Sequence, residues 1–238
     1  MRRAVSALAS ALVLAGAALF AQAPPVHAPD GGTMQRIQSI DVPPLPNASF
    51  TATVNTEWTR YLADGAISLL RNSRTIARDA AGRVFQERRT FVSGDPRTSR
   101  LTEIDLYDPM SHTIAVCDAQ GRACELQAYF QPAVPPIPPT GPNLARESLG
   151  TQHLNGLELV GTRETETIPA GPIGADRTLS VVKEFWYSPA LGVNISTRRN
   201  DPRGGIEVFE VTNIDTSEPD PSRFTLPRGA QIIDRRRR

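Results

Sequence analysis

Turn signals divide this chain into pieces too short for anything but strands. Asp64-Gly65, Asp79-Ala-Ala-Gly82, Ser93-Gly-Asp-Pro-Arg97, Asp108-Pro109, Gln120-Gly121, Asn155-Gly156, Ser188-Pro189 and Asn200-Asp-Pro-Arg-Gly-Gly205 mark turns, and the strands they separate follow at a spacing of roughly 8–14 residues. Between them apolar and polar residues alternate, as in 50–61, where Phe50, Ala52, Val54, Thr56 and Trp58 fall on one face. The same reading predicts strands at 66–78, 83–92, 100–107, a hairpin over 112–130, and strands at 144–154, 157–168, 178–187, 192–199 and 205–214. No long segment with the 3.6-residue period of a helix lies between them; 218–224 suits a single helical or 3₁₀ turn, and 225–233 is a last extended piece. The expected fold is all-β or nearly so: a curled antiparallel meander of about eleven strands, half-barrel or barrel-like, with few short helices. Composition agrees, with 21 prolines in 238 residues and only 6% aromatics.

The N-terminus points to export. Arg2 and Arg3 precede an uncharged apolar run over 4–20, followed by Ala21-Gln22-Ala23, small residues of the kind signal peptidase reads. Residues 1–23 are expected to be a cleaved signal, with no transmembrane span left afterwards and the mature chain periplasmic or secreted. The first cysteine is Cys117, so no lipid-anchor cysteine follows the signal. Residues 24–47 read as a flexible Pro-rich leader, 48–233 as one β domain whose halves meet at the Pro-rich link 131–143, and 234–238 as a basic tail.

Charge excludes one class of partner. Lys and Arg number 26 against 25 Asp and Glu, and taking away Arg2 and Arg3 leaves 24 against 25. Nucleic-acid binding by bulk basic charge is ruled out on that balance. The two cysteines suit an exported chain: the hairpin around Gln120-Gly121 places Cys117 opposite Cys124, within bridging distance. Redox chemistry would ask for Cys-x-x-Cys, and a zinc site for four ligands where only His112 is near.

Catalytic signatures are missing. The chain carries no Gly-x-Ser-x-Gly, His-Glu-x-x-His, phosphate-binding loop or dinucleotide fingerprint, and its three histidines are His27, His112 and His153. No catalytic residue, cofactor or metal is expected, and a hydrolase is the weakest of three readings. The late strands are apolar on both faces: Leu179, Val181, Phe185 and Tyr187 oppose Val182 and Trp186, while Ile206, Val208 and Ile214 oppose Phe209 and Val211. A sheet with one wet face alternates more cleanly. Either the chain's own leader or C-terminal segment covers the second face, or an apolar hollow lies there. The candidate ligand-binding residues are Trp58, Val182, Trp186, Phe209 and Val211. Arg71, Arg74, Arg78, Arg83, Arg88 and Arg89 gather on the second and third strands as candidate contacts for an anionic partner, with solvated strand faces as the plainer reading.

Several short motifs occur together: Leu62-Ala-Asp-Gly65, Arg78-Asp-Ala-Ala-Gly-Arg83, Glu147-Ser-Leu-Gly150, Thr167-Ile-Pro-Ala-Gly171, Trp186-Tyr-Ser-Pro189, Asp201-Pro-Arg203 and Glu218-Pro-Asp-Pro-Ser-Arg-Phe224. In order and spacing they resemble a group of uncharacterised exported bacterial proteins over roughly residues 45–233. More distantly, the organisation is similar to the half-barrels of the outer-membrane lipoprotein carrier and periplasmic stress-sensor families. That resemblance implies an acyl chain or a protein segment held on the concave side of the sheet. This chain departs from those families in lacking long helices and in adding a cysteine hairpin. The expectation is an exported, non-enzymatic binding protein for a hydrophobic or lipid-linked ligand. The alternative is a structural or interaction module of the cell envelope, with an envelope protein as partner.

Overall fold

The computed structural model describes residues 27–28, 30–31, 39–130, 140–171 and 176–236. The expected signal at 1–23, much of the leader, most of the link 131–143, and Arg237 and Arg238 lie outside them. The strands are β1 (Asp30–Gly31), β2 (Ser39–Ile40), β3 (Phe50–Tyr61), β4 (Ile67–Arg78), β5 (Val84–Arg89), β6 (Leu101–Asp108), β7 (Thr113–Asp118), β8 (Ala123–Ala128), β9 (Leu144–Leu154), β10 (Leu157–Ile168), β11 (Leu179–Ser188), β12 (Val193–Asp201), β13 (Gly205–Asp215) and β14 (Gln231–Asp234). The only helical pieces among the described residues are 3₁₀ turns at Pro96–Thr98 and Pro221–Phe224. No helix there is long and apolar enough to cross a membrane.

The strands expected between residues 50 and 214 are β3 to β13. They form one open sheet, ordered β14-β8-β7-β6-β5-β4-β3-β13-β12-β11-β10-β9, beside a small β1-β2 pair. Two antiparallel meanders, β3–β8 and β9–β13, lie side by side, because the first strand of one pairs with the last strand of the other. Only β14 runs parallel to its neighbour, β8. Cys117 and Cys124 face each other across β7 and β8 and are joined in a disulfide.

Register sorts the side chains onto two faces, and both are covered. On the first face Phe50, Val54, Ile76, Val84, Ile114, Phe209 and Val211 belong to the large apolar core. Ile40 and Val42, each 2% exposed, close it from above. Ile40 and Val42, in the stretch read from sequence as part of a flexible leader, are therefore part of the core. The physical reason is that this sheet face leaves an apolar floor that only a second layer can keep from water. On the second face Ala77, Phe85, Leu106 and Ala115 form a smaller cluster, covered by Phe224 of the C-terminal 3₁₀ turn. Both coverings weighed from the sequence are present, one on each face.

Candidate ligand-binding site

The joint that holds both coverings is built from motif residues. In the turn after β4, Asp79 accepts from the backbone N–H of Arg83 at 2.8 Å and from its Nε at 2.6 Å. Gly82 has a φ of 82°, and a Cβ there would sit 3.0 Å from the Pro44 carbonyl oxygen, so this turn calls for glycine twice over. The turn is tied to the leader through Asn47 N–H and Ala80 O at 3.0 Å. It is tied to the C-terminal segment through Glu218, whose carboxylate accepts from Ala80 N–H at 3.1 Å. Arg83 then lies over the Phe224 ring, 5.3 Å from its centroid. Thus Arg78-Asp-Ala-Ala-Gly-Arg83 and Glu218-Pro-Asp-Pro-Ser-Arg-Phe224, far apart in sequence, meet in space.

From this joint the C-terminal segment crosses the second face of the sheet. Asp220 caps the 3₁₀ turn by accepting from Ser222 N–H at 2.9 Å. Phe224 then presses onto the sheet, and the chain leaves along β8 as β14. The segment does not fill the face. Two clefts remain beside it, with Leu106 and Leu226 lining both. One, of about 190 Å³, lies towards Arg83, Tyr107 and Arg236. The other, of about 400 Å³, has Phe85, Ile104 and Cys117 for its floor and Leu226 and Pro227 for its roof. Two exposed arginines, Arg223 and Arg228, border this larger cleft, and neither is in an ion pair among the described residues. Arg223 leans on the Phe85 ring at 5.7 Å. An apolar slot with exposed guanidinium groups at its mouth suits a molecule that is apolar along its length and anionic at one end.

A third cleft, of about 530 Å³, is polar; Glu57, Arg71, Asp95, Arg198 and Glu210 line it beneath the 3₁₀ turn at Pro96–Thr98. Its Arg71 and Glu57 already pair at 2.8 Å.

The residues singled out from sequence do not assemble into one site. Trp58 pairs with Glu207, Phe209 with Thr56 and Val211 with Val54, which puts these three on the first face, Phe209 and Val211 within the packed core. Val182 pairs with Asn200, and Asn200 with Ile206, which puts it on the opposite face, while Trp186, next to the irregularity in the β11–β12 pairing, packs against the large core. Trp186 lies over Gly161, where a Cβ would come within 2.6 Å of its ring. None of the five lines the clefts described above.

The arginines do not form an exposed anionic-partner rim either. Arg78 is fully buried; its Nε, Nη1 and Nη2 donate to the carbonyls of Ala48, Pro43 and Leu191 at 2.7–2.8 Å. Burial pushes its guanidinium down to about 10. Arg74, also buried, donates to Gln86 at 2.8 Å, and burial, then the charge of Arg88, push it down to about 9. Arg88 pairs with Asp105, Arg89 with Glu87, Arg83 with Asp79 and Arg71 with Glu57. Asp105 itself is pushed up to about 6 by burial, which the Arg88 charge only partly offsets. Strand alternation turned Arg74, Arg78 and Arg88 inward, and buried guanidinium groups are tolerated because each finds acceptors. The cleft arginines, Arg223 and Arg228, were missed; the one available signal was their place beside Phe224 and Leu226 in a Pro-rich terminal segment.

His112 stacks on Phe130 beside the β6–β7 turn, and His153 is exposed near the end of β9. Neither lines a cleft described here, and among the described residues no three His, Cys, Asp or Glu side chains are placed to hold a metal ion.

No family model and no curated protein matches the chain. Among solved structures it is similar to an uncharacterised conserved protein from Thermus thermophilus, at 10% identity and a TM-score of 0.43, over 79% of this chain and 91% of that one. It is also similar to a chain of the MucA/MucB complex of Pseudomonas aeruginosa, at 12% identity and a TM-score of 0.42, over 79% of this chain and 58% of that one. A LolA superfamily protein from Nitrosomonas europaea aligns at 12% identity and a TM-score of 0.23, over 76% and 91% of the two chains. The likeness is one of fold.

Proposed function

We propose that this chain is an exported, non-enzymatic binding protein whose ligand is a single-chain anionic amphiphile. Its hydrocarbon lies in the cleft between β5–β7 and the C-terminal segment, and its head group meets Arg223 and Arg228. One observation carries the reading: an apolar cleft of about 400 Å³ opens beside two exposed arginines that are in no ion pair among the described residues, Arg223 sensing only the nearby charge of Asp220. Burying a chain of eight to ten methylenes there would contribute roughly 0.8 kcal/mol per methylene before the costs of association.

The test is native mass spectrometry of the chain exported to a bacterial periplasm and purified without detergent, followed by titration with dodecanoate. A releasable lipid mass, or dodecanoate uptake that Ile104→Trp weakens at least tenfold in a folded protein, is expected. Arg223→Gln with Arg228→Gln should weaken dodecanoate more than dodecanol. A clean apo mass with no uptake of either would sink the proposal.

That outcome would favour the second reading, an interaction module of the envelope. Its support is β9, an eleven-residue edge strand whose outer side has no strand partner among the described residues. Crosslinking in the periplasm would then identify the partner.

A further inference from the structure

On the first face, the leader makes a contact unlike the apolar packing of Ile40 and Val42. His27 and Ala28 are 6% and 7% exposed. The carboxamide of Asn194, on β12, meets the backbone of Ala28 edge-on: its Oδ1 accepts from Ala28 N–H at 2.9 Å, and its Nδ2 donates to Ala28 O at 3.1 Å. One side chain thereby supplies the donor and acceptor that a neighbouring strand would supply. This clamp reads backbone alone and leaves selectivity to the residue beside it.

That residue is His27. Its ring lies flat on Phe185 of β11, with centroids 4.0 Å apart and planes 6° from parallel. Its Nε2 is 3.1 Å from Glu164 Oε1 on β10, and its Nδ1 is 2.7 Å from Ala28 O. Both partners are acceptors, so a doubly protonated ring satisfies both and a neutral ring only one. Glu164 is held down to about 2 by the His27 hydrogen bond first, with Arg146 adding to it from 2.8 Å. A flat aromatic wall with a carboxylate at its end selects a planar cation over an ammonium.

Covering a sheet needs only apolar contact, and a buried charged hydrogen bond is a poor source of net stability. A backbone clamp beside a side-chain pocket is instead how folded domains read extended peptides. Phe185, Glu164 and Asn194 stand on β11, β10 and β12, and Arg146 of β9 shares the Glu164 carboxylate with His27; none of these comes from the leader. We propose that Phe185, Glu164 and Asn194 form a recognition site for an extended peptide bearing a planar cation, and that His27 and Ala28 occupy it in cis. The site lies on the opposite face from the amphiphile cleft and stands or falls separately from it. Tethering gives the leader an effective concentration on the order of millimolar, so a peptide in trans competes poorly until the leader is disengaged.

The test uses the full exported chain and a fluorescent peptide of residues 24–31, Pro-Pro-Val-His-Ala-Pro-Asp-Gly, followed by anisotropy. The chain with His27→Ala should bind this peptide at least tenfold more tightly than the wild-type chain. Adding Glu164→Gln or Asn194→Ala should remove that gain. A peptide carrying Arg for His should bind, and one carrying Ala should not. If the His27→Ala chain proves unfolded, wild-type chain labelled at histidine replaces it, and excess peptide should move the His27 resonances to free-histidine positions. A folded His27→Ala chain that binds the histidine and alanine peptides equally weakly, or unmoved His27 resonances in the wild-type experiment, overturns the proposal.

Discussion

A guanidinium with no exposed surface must find acceptors for its N–H groups, and Arg78 finds three in backbone carbonyls rather than in a carboxylate. Pro43 and Ala48 belong to the segment entering β3, and Leu191 to the turn between β11 and β12, so one side chain joins three stretches of chain. Its guanidinium lies over the Phe50 ring, 5.0 Å from the centroid. Arg78→Ala would take the Arg78 donor from the carbonyls of Ala48 and Leu191, at about 1–3 kcal/mol each, while the Pro43 carbonyl keeps the Leu45 N–H; a loss on the order of 3 kcal/mol is expected. Arg78→Lys should recover less than half, since one ammonium cannot span the three directions that a planar fork covers. Urea denaturation at constant m-value measures both. Arg97, 86% exposed at its side chain and paired only with Asp95, is the control; its alanine variant should leave the midpoint where it is.

Among the elements, the β7–β8 hairpin carries the chain's covalent tie, and β14 depends on it. Cys117 and Cys124 close a loop of sequence separation 7 at the turn end of this ladder, next to Gln120-Gly121. β14 lies parallel along β8 from Gln231 opposite Ala123 to Asp234 opposite Leu126, so the outermost strand rests on the bridged hairpin. Gly121 stands against Pro227, where an added Cβ would be 3.0 Å from the ring, so the C-terminal segment packs on the same turn. Replacing both cysteines with serine should cost about 2–3 kcal/mol for so short a loop. The loss should appear first as faster amide exchange in β8 and β14, ahead of β3 and β4 at the centre of the sheet.

At the scale of the molecule, the two meanders are sewn together by β3 and β13, from Ile206 opposite Thr59 to Asp215 opposite Thr51. The link between β8 and β9 joins strands near the two ends of the sheet, and its pairing among the described residues is a single bridge from Gly141 to Leu144. Cutting it should therefore leave the halves together, because ladder and core cross the seam at Val54, Phe209 and Val211. With a protease site placed at Thr140-Gly141, the cleaved chain should elute as one species in gel filtration and separate only in denaturant. Two species under native conditions would show that the seam is weaker than its pairing suggests.

Strand identity was legible in the sequence because alternation and hairpin turns are local: a strand's period and a turn's φ requirement are set by a few neighbouring residues. The bridge between Cys117 and Cys124 was legible for the same reason, being closed by one hairpin. Tertiary structure alone decided the seam between β3 and β13, the parallel β14, and the two coverings by residues 39–47 and 221–226, since long-range pairing leaves no mark at short sequence separation. It also decided which of the two-faced residues share a side. Alternation fixes faces within a strand, but the phase between strands depends on register, including the irregularity at Trp186 and Tyr187 that shifts β11 against β12. By that register Val182, opposite Asn200 and so in line with Ile206, parts from Phe209 and Val211. Arg78, which its charge alone would assign to the surface, lies at the centre of the joint, where distant carbonyls make its burial tolerable.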